Sequence, residues 1–266
     1  MDAPWLQSLL TQYHWQYSLM AGIGIFVLTK SLRWLGVQLV PAFAQSAKMN
    51  AEAFAKKMEN PRYAENQKWN AKWGAIDTIV IFGGVLPFCL TLEPQPWWQI
   101  LRDMVVILMV YDFFYYLVHR FLFHDGGFGP GPLLWVHAYH HRQKNPCRND
   151  GSYIHPIEVA MGLGLYTAVI FVLSRFMGDF HVVTVIVTWY AFSEINQHNH
   201  DLWSDKFPIR YLNTMSVMHH NHHARFTGGN FATISLLYDW MFGTLDYGKG
   251  WTRKALAPDP KEMVES

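Results

Sequence analysis

The sequence predicts an all-α integral membrane protein, with four to five transmembrane or re-entrant helices and a cytoplasmic helical cap. Three observations lead there. Apolar residues gather in blocks of bilayer length, basic residues fall on one side of those blocks, and histidines crowd that same side. The chain has 266 residues, of which 51% are hydrophobic and 15% charged. Soluble domains carry about 25% charged residues, so the shortage of charge needs a cause. So high an apolar content excludes disorder, and two cysteines, Cys89 and Cys147, exclude a disulfide scaffold. A formal net charge of +1 argues against a nucleic-acid-binding protein.

The blocks run in order along the chain. The first extends from about Tyr13 to Leu28, with an apolar continuation toward Val40. The second covers Trp73 to Leu92 and the third Ile100 to Val118. The fourth, Ile157 to Leu173, and the fifth, Phe180 to Ile195, are shorter and read as a hairpin that dips into the bilayer or crosses it. A helix needs ~20 residues to cross the hydrocarbon core. Five buried helices of a soluble bundle are the competing reading, but such helices carry a polar stripe that these blocks lack. Trp69 and Trp73 flank the second block, and Trp97 and Trp98 open the third, as interfacial anchors do. Between the first two blocks, Phe43, Ala47, Ala51, Phe54 and Met58 recur at helical spacing. That stripe, with Lys48, Lys56 and Lys57 off it, predicts a basic helix on the membrane surface. The chain is therefore expected to divide into an N-terminal span and interfacial helix (1–72), a membrane domain (73–250) and a polar tail (251–266).

Charge orients the blocks. Seventeen basic residues lie in the segments 41–72, 119–156 and beyond 193, whereas the opposite connections hold only Arg175. The positive-inside rule then puts the N-terminus outside and the large polar segments and C-terminus in the cytoplasm. Either a bacterial inner membrane or the endoplasmic reticulum satisfies this reading. No basic region precedes the first apolar run, so no cleaved signal peptide is expected.

Twelve of the fourteen histidines fall on the predicted cytoplasmic side. Two H-x-x-H-H groups stand out: His137, His140 and His141, and then His219, His222 and His223. Positions i, i+3 and i+4 share a helix face, so each trio is expected to point together, with His220 off that face. His198 and His200 point to opposite sides of a helix, so one of them is expected to bind metal. His119 and His124 are about 140° apart on an α-helix and converge only if the third block ends or bends between them. Eight or more imidazoles exceed the needs of one ion, so two metals are predicted. Imidazole alone does not choose among zinc, iron, copper and nickel.

These residues resemble the fatty acid hydroxylase and sterol desaturase superfamily of integral-membrane oxygenases. Asp112-x3-Tyr116-x2-His119-Arg120 resembles that family's approach to its first histidine box, and His137-Ala-Tyr-His140-His141 its second. His155-Pro-Ile-Glu158 and Gln197-His198-Asn199 are similar to two further family motifs, and His219-His-Asn-His222-His223 to the third box. Gly229-Asn230-Phe231 and Asp239-Trp-Met-Phe-Gly-Thr244 resemble its closing pattern. The likeness covers about residues 73–247. Three departures separate the chain from many sterol-modifying members: a first box of H-x4-H with Phe123 where a histidine is common, Phe231-Ala232 in place of Tyr-Gly, and Tyr238 and Trp240 around Asp239.

The resemblance implies two iron ions, O2 as co-substrate and oxidation of an unactivated C–H bond in a lipid drawn from the bilayer. It implies an external electron donor, a cytochrome b5-like or ferredoxin-type partner. The expected metal ligands are His119, His124, His137, His140, His141, His198, His219, His222 and His223, with His155 as a further candidate. Asp112, an acid inside a span, is expected to orient a histidine. Tyr116 is placed beside it, and Glu158, Glu194 and Asp239 are further candidates for that orienting role. Tyr116, Trp189, Tyr190 and Phe192 are candidates to line a lipid tunnel. The expected activity is hydroxylation or methyl oxidation of a sterol, fatty acyl or related lipid. Desaturation on the same scaffold and a non-enzymatic metal transporter are the alternatives, and a bis-histidine haem protein is a third reading.

Overall fold

A computed structural model describes residue 7 and residues 10–203, 210–226 and 228–248. The predicted polar tail, 251–266, lies outside the described residues. Helix α1 (Trp15–Leu39) is followed by α2 (Pro41–Met58) and α3 (Pro61–Val80). The third helix continues through a π-turn, Ile81–Val85, and a 3-10 turn, Leu86–Phe88. After β1 (Leu90–Thr91), α4 (Trp97–Val118) also ends in a π-turn, His119–Phe123. Then come α5 (Leu134–His140), a 3-10 turn (Arg148–Ser152), α6 (Pro156–Met177), β2 (Phe180–His181), α7 (Val182–His198), α8 (Arg210–Ala224) and α9 (Leu237–Met241).

Local chemistry sets the helix starts. Pro41, Pro61 and Pro156 each sit in a first turn, where a missing N–H costs nothing. Asn60 accepts from Arg62 N (3.0 Å) and the His155 ring from Ile157 N (3.2 Å), satisfying orphan donors. Gly178, at φ 87°, stops α6.

Four helical stretches are long and apolar enough to cross a membrane: Leu10–Leu39, Pro61–Phe88, Trp97–Phe123 and Pro156–Met177. At ~1.5 Å per residue, even the shortest of these reaches ~33 Å, against a hydrocarbon core of ~30 Å. The fifth block forms α7, whose 17 residues rise only ~25 Å, so it falls short of a span. Helix α1 buries only Ser18 and Ala21 and leaves Leu19, Ile23, Phe26 and Val27 exposed, as a lipid-facing helix does.

The core lies where α4, α6 and α7 meet. Tyr111, Tyr166 and Phe192 interlock there, with Tyr166 stacked on Phe192 at 4.3 Å and Tyr111 edge-on to both. Phe192 and Tyr116 are thus packed inside the molecule, while Tyr190 lines a cavity of about 230 Å³ beside Glu194 and His198. At one end of the bundle β1 and β2 pair in parallel, Leu90 with Phe180 and Thr91 with His181. His14 N joins the same end by donating to Pro87 O (2.9 Å). The opposite ends of α4, α6 and α7 carry the clustered histidines.

Helix α2 packs differently from its predicted stripe. Its buried ridge is Ala42, Ser46 and Asn50, while Ala51 and Met58 are exposed. The cause is hydrogen bonding rather than apolar area. Ser46 Oγ donates to Leu202 O (2.6 Å), and Asn50 Oδ1 accepts from Leu202 N (3.0 Å) and Arg148 N (2.9 Å). The helix is a strut for the histidine end.

Candidate metal centre

The histidines form two buried groups. His119, His124, His137, His141 and His222 make one, and His140, His200, His219 and His223 the other. Within each group the candidate ligand atoms lie within 4.8 Å of one another. Each H-x-x-H-H motif is split between the groups, against the expectation that its three rings point together. His137 and His141, at i and i+4, enter the first group and His140 the second. The later motif does the reverse: His219 and His223 enter the second group and His222 the first. With two histidine groups side by side, the i+3 ring and the i/i+4 pair diverge just enough to enter different ones.

His119 and His124 converge because α4 ends in a π-turn, whose wider winding brings their ring centroids to 5.0 Å. Gly131 N donates to His124 O (3.0 Å) and Leu133 N to Leu122 O (2.9 Å), folding the following loop back onto that turn. A Cβ on Gly131 would lie 2.4 Å from Leu122 O and 2.7 Å from His124 O, so only glycine fits.

Outer contacts fix which nitrogen of each ring faces inward. His119 Nδ1 donates to Phe231 O (2.7 Å), His124 Nδ1 to Phe226 O (2.9 Å) and His222 Nδ1 to Gly229 O (2.7 Å). His137 Nδ1 donates to Glu158 Oε1 (2.7 Å). In the second group, His140 Nδ1 donates to Tyr153 O (3.1 Å) and His200 Nδ1 to Asn196 O (2.9 Å). A carbonyl oxygen only accepts, so in the five rings that face one, Nδ1 carries the hydrogen and Nε2 presents a lone pair, and an ionised Glu158 gives His137 the same form. Yet His119 Nε2 and His137 Nε2 approach to 2.9 Å, and His140 Nε2 and His200 Nε2 to 3.1 Å. Two bare lone pairs at that distance repel unless a cation sits between them. Ligand nitrogens ~2.1 Å from a shared ion and 90° apart would be ~3.0 Å from each other, so the spacing suits a metal with near-right-angle coordination. Burial pushes the His140 and His222 rings down to about 4, which keeps them in the neutral form that metal binding requires.

Eight of the nine histidines expected as ligands stand in these groups, and His200 completes the second. His198 stands apart: among the described residues it joins neither group. Its Nε2 donates to Leu212 O (2.7 Å) and its ring packs on Trp203 at 4.3 Å, outside both groups. His155 caps α6, and His220 joins neither group among the described residues.

Asp112 also departs from expectation. Among the described residues it bonds no histidine; it accepts from Thr233 N (2.9 Å), Ile234 N (2.8 Å), Ser235 N (3.1 Å) and Ser235 Oγ (2.9 Å). Asp239 accepts from Phe231 N and Ala232 N, both at 2.8 Å. The two acids therefore pin the chain that carries the Phe231 carbonyl. Tyr116 accepts from Arg120 (2.7 Å) and lies 3.2 Å from Thr244 Oγ1, beneath the same segment. Glu194 pairs with Arg148, and among the described residues Glu158 is the carboxyl group bonded to a histidine of the two groups.

Sequence reasoning missed the carbonyls of Phe226, Gly229 and Phe231, which serve three rings of the first group. The signal was Asn230, at φ 66° in a region few side chains tolerate. Its side chain donates to Met218 O (2.9 Å) and Asp246 O (2.8 Å) and accepts from Asp246 N (2.9 Å), locking the carbonyls on either side.

A family model for fatty acid hydroxylase matches residues 104–244, just over half of the chain, from mid-α4 through both histidine motifs to Thr244. A very-long-chain aldehyde decarbonylase of Oryza sativa subsp. indica is 27% identical over 184 residues, 65% of this chain and 61% of that protein. Methylsterol monooxygenase 1 of Rattus norvegicus is 25% identical over 154 residues, 56% of this chain and 48% of that protein. The chain thus spans about three fifths and about half of these relatives' lengths. No solved structure matches it. With both histidine groups and the segment that orients them inside the matched region, the chain belongs to the fatty acid hydroxylase family.

Proposed function

We propose that the chain is a membrane-bound, O2-dependent di-iron oxygenase that hydroxylates, or oxidises a methyl group of, a sterol, fatty acyl or related lipid. One observation carries the reading: Nε2 lone pairs fixed in place converge on two adjacent points. His119, His124, His137, His141 and His222 would hold one iron, and His140, His200, His219 and His223 the other. Bound there, the iron pair would supply activation of O2 and oxidation of a C–H bond.

The chain's own residues do the positioning. Glu158 and the carbonyls of Phe226, Gly229 and Phe231 aim the rings of the first group, and those of Tyr153 and Asn196 serve the second. Asp112, Asp239 and Asn230 hold the segment bearing two of those carbonyls. Nine buried imidazoles exclude bulk water from the centre. The relatives' names, a methylsterol monooxygenase and a very-long-chain aldehyde decarbonylase, support a long apolar substrate. Electrons would come from a cytochrome b5-like or ferredoxin-type partner. The one-sided basic residues support an N-terminus outside and the histidine end in the cytoplasm.

The test is product analysis on reconstituted protein supplied with iron, an electron donor, O2 and candidate lipids. A product heavier by one oxygen supports the reading. Loss of two hydrogens makes the enzyme a desaturase instead. Vesicle uptake of Fe2+ or Zn2+ that requires His137, without lipid oxidation, would replace the enzyme reading with transport.

A further inference from the structure

Three tyrosines stack ring on ring beside the second histidine group. Tyr63 and Tyr153 lie 5.0 Å apart at 8°, and Tyr153 and Tyr139 5.1 Å apart at 11°. The innermost ring, Tyr63, is 3% exposed and donates its hydroxyl hydrogen to Asp150 Oδ1 (2.7 Å). Asp150 is fully buried, accepts from Cys147 N (2.7 Å) and pairs with the Lys57 ammonium. Tyr153 closes the path, because its carbonyl receives the His140 Nδ1 hydrogen at 3.1 Å. A buried phenol needs some partner, and a strut between α3 and the Arg148–Ser152 turn would meet that need. A strut does not require a carboxylate proton acceptor, two further stacked phenols and a bond to a ring of the second group.

We propose that Tyr63 is a redox-active tyrosine, a one-electron reductant for the metal centre when O2 is activated with no substrate C–H bond in reach. This rests on the di-iron reading above. The Tyr63 O–H bond breaks, its proton passes to Asp150 Oδ1, and its electron crosses the Tyr153 ring and the carbonyl–His140 hydrogen bond. Bound iron oxidised in the presence of O2 would be the acceptor of that one electron, and Tyr63 is left as a neutral radical. One electron from the enzyme's external donor, with the proton returned from Asp150, restores the phenol. Each event removes an oxidising equivalent that would otherwise attack the imidazoles of the centre.

The experiment uses the full chain in detergent, loaded with ferrous iron, exposed to O2 without lipid and freeze-quenched for electron paramagnetic resonance. The expected result is a tyrosyl radical, identified by its change on ring-deuterated tyrosine labelling. It is lost in Tyr63→Phe, retained in Tyr139→Phe, and iron content is unchanged in both. Repeated O2 exposure should also raise histidine oxidation in Tyr63→Phe, read by peptide mass spectrometry. A chain that holds two irons but gives no tyrosyl radical, or keeps the radical in an iron-loaded Tyr63→Phe, overturns this proposal alone. A chain that takes up no iron overturns the di-iron reading and this proposal with it.

Discussion

Glu158 gives His137 a carboxylate where neighbouring rings have carbonyls, so it adds charge as well as direction. Glu158→Gln keeps an acceptor but removes that charge, and such outer partners are worth about 10–100-fold in metal affinity or activity. A metal titration of the variant should show a loss in that range, and wild-type affinity would contradict the role. His200 and His198 make a sharper pair. His200→Ala should lose the metal of the second group, while His198→Ala should keep both metals, because the His198 ring bonds the Leu212 carbonyl, packs on Trp203 and joins neither group among the described residues. Metal analysis of the two variants decides it, and the reverse outcome would restore the sequence-based choice. That choice was not legible beforehand. Helix geometry says the two histidines face opposite ways, but which way is inward depends on how α7 ends against α8.

At the scale of elements, the π-turn at His119–Phe123 and the loop folded onto it place His119 and His124 together. Gly131→Ala puts a methyl group against two backbone oxygens, so the loop must shift and take His124 with it. We expect weakened metal binding at the first group with helix content intact, measured by metal content and circular dichroism, and wild-type binding would contradict it. The sequence required a bend between the two histidines, but a π-turn leaves no mark in hydrophobic periodicity. The split of each histidine motif was hidden for a related reason. One helix face looks like one site until a second helix supplies the neighbouring centre. Acid should release the metal from these elements. The His140 and His222 rings are held down to about 4, against an ordinary value of about 6.5, so the open chain takes up protons first as pH falls. Their neutral, folded arrangement is at full strength above about 6.5 and weakens progressively toward pH 4, the direction in which metal binding also weakens. Metal retained against a chelator should follow that course, and release on raising the pH would contradict it.

Over the whole molecule, the apolar blocks, the helical class and the crowding of histidines at one end were legible in the sequence. Bilayer-length hydrophobic runs and i/i+4 spacing are local signals. What was not legible is long-range: the strut made by Ser46 and Asn50, the carbonyls aimed by Asn230, and Asp112 gripping a segment more than a hundred residues away. The central claim is that the two groups hold two irons. Metal content and absorption of reconstituted protein, beside His141→Ala and His222→Ala, test it directly. The account predicts about two non-haem irons per chain, no intense Soret band, and loss of iron and activity in both variants. A haem spectrum, or full iron content and activity in both variants, would contradict it.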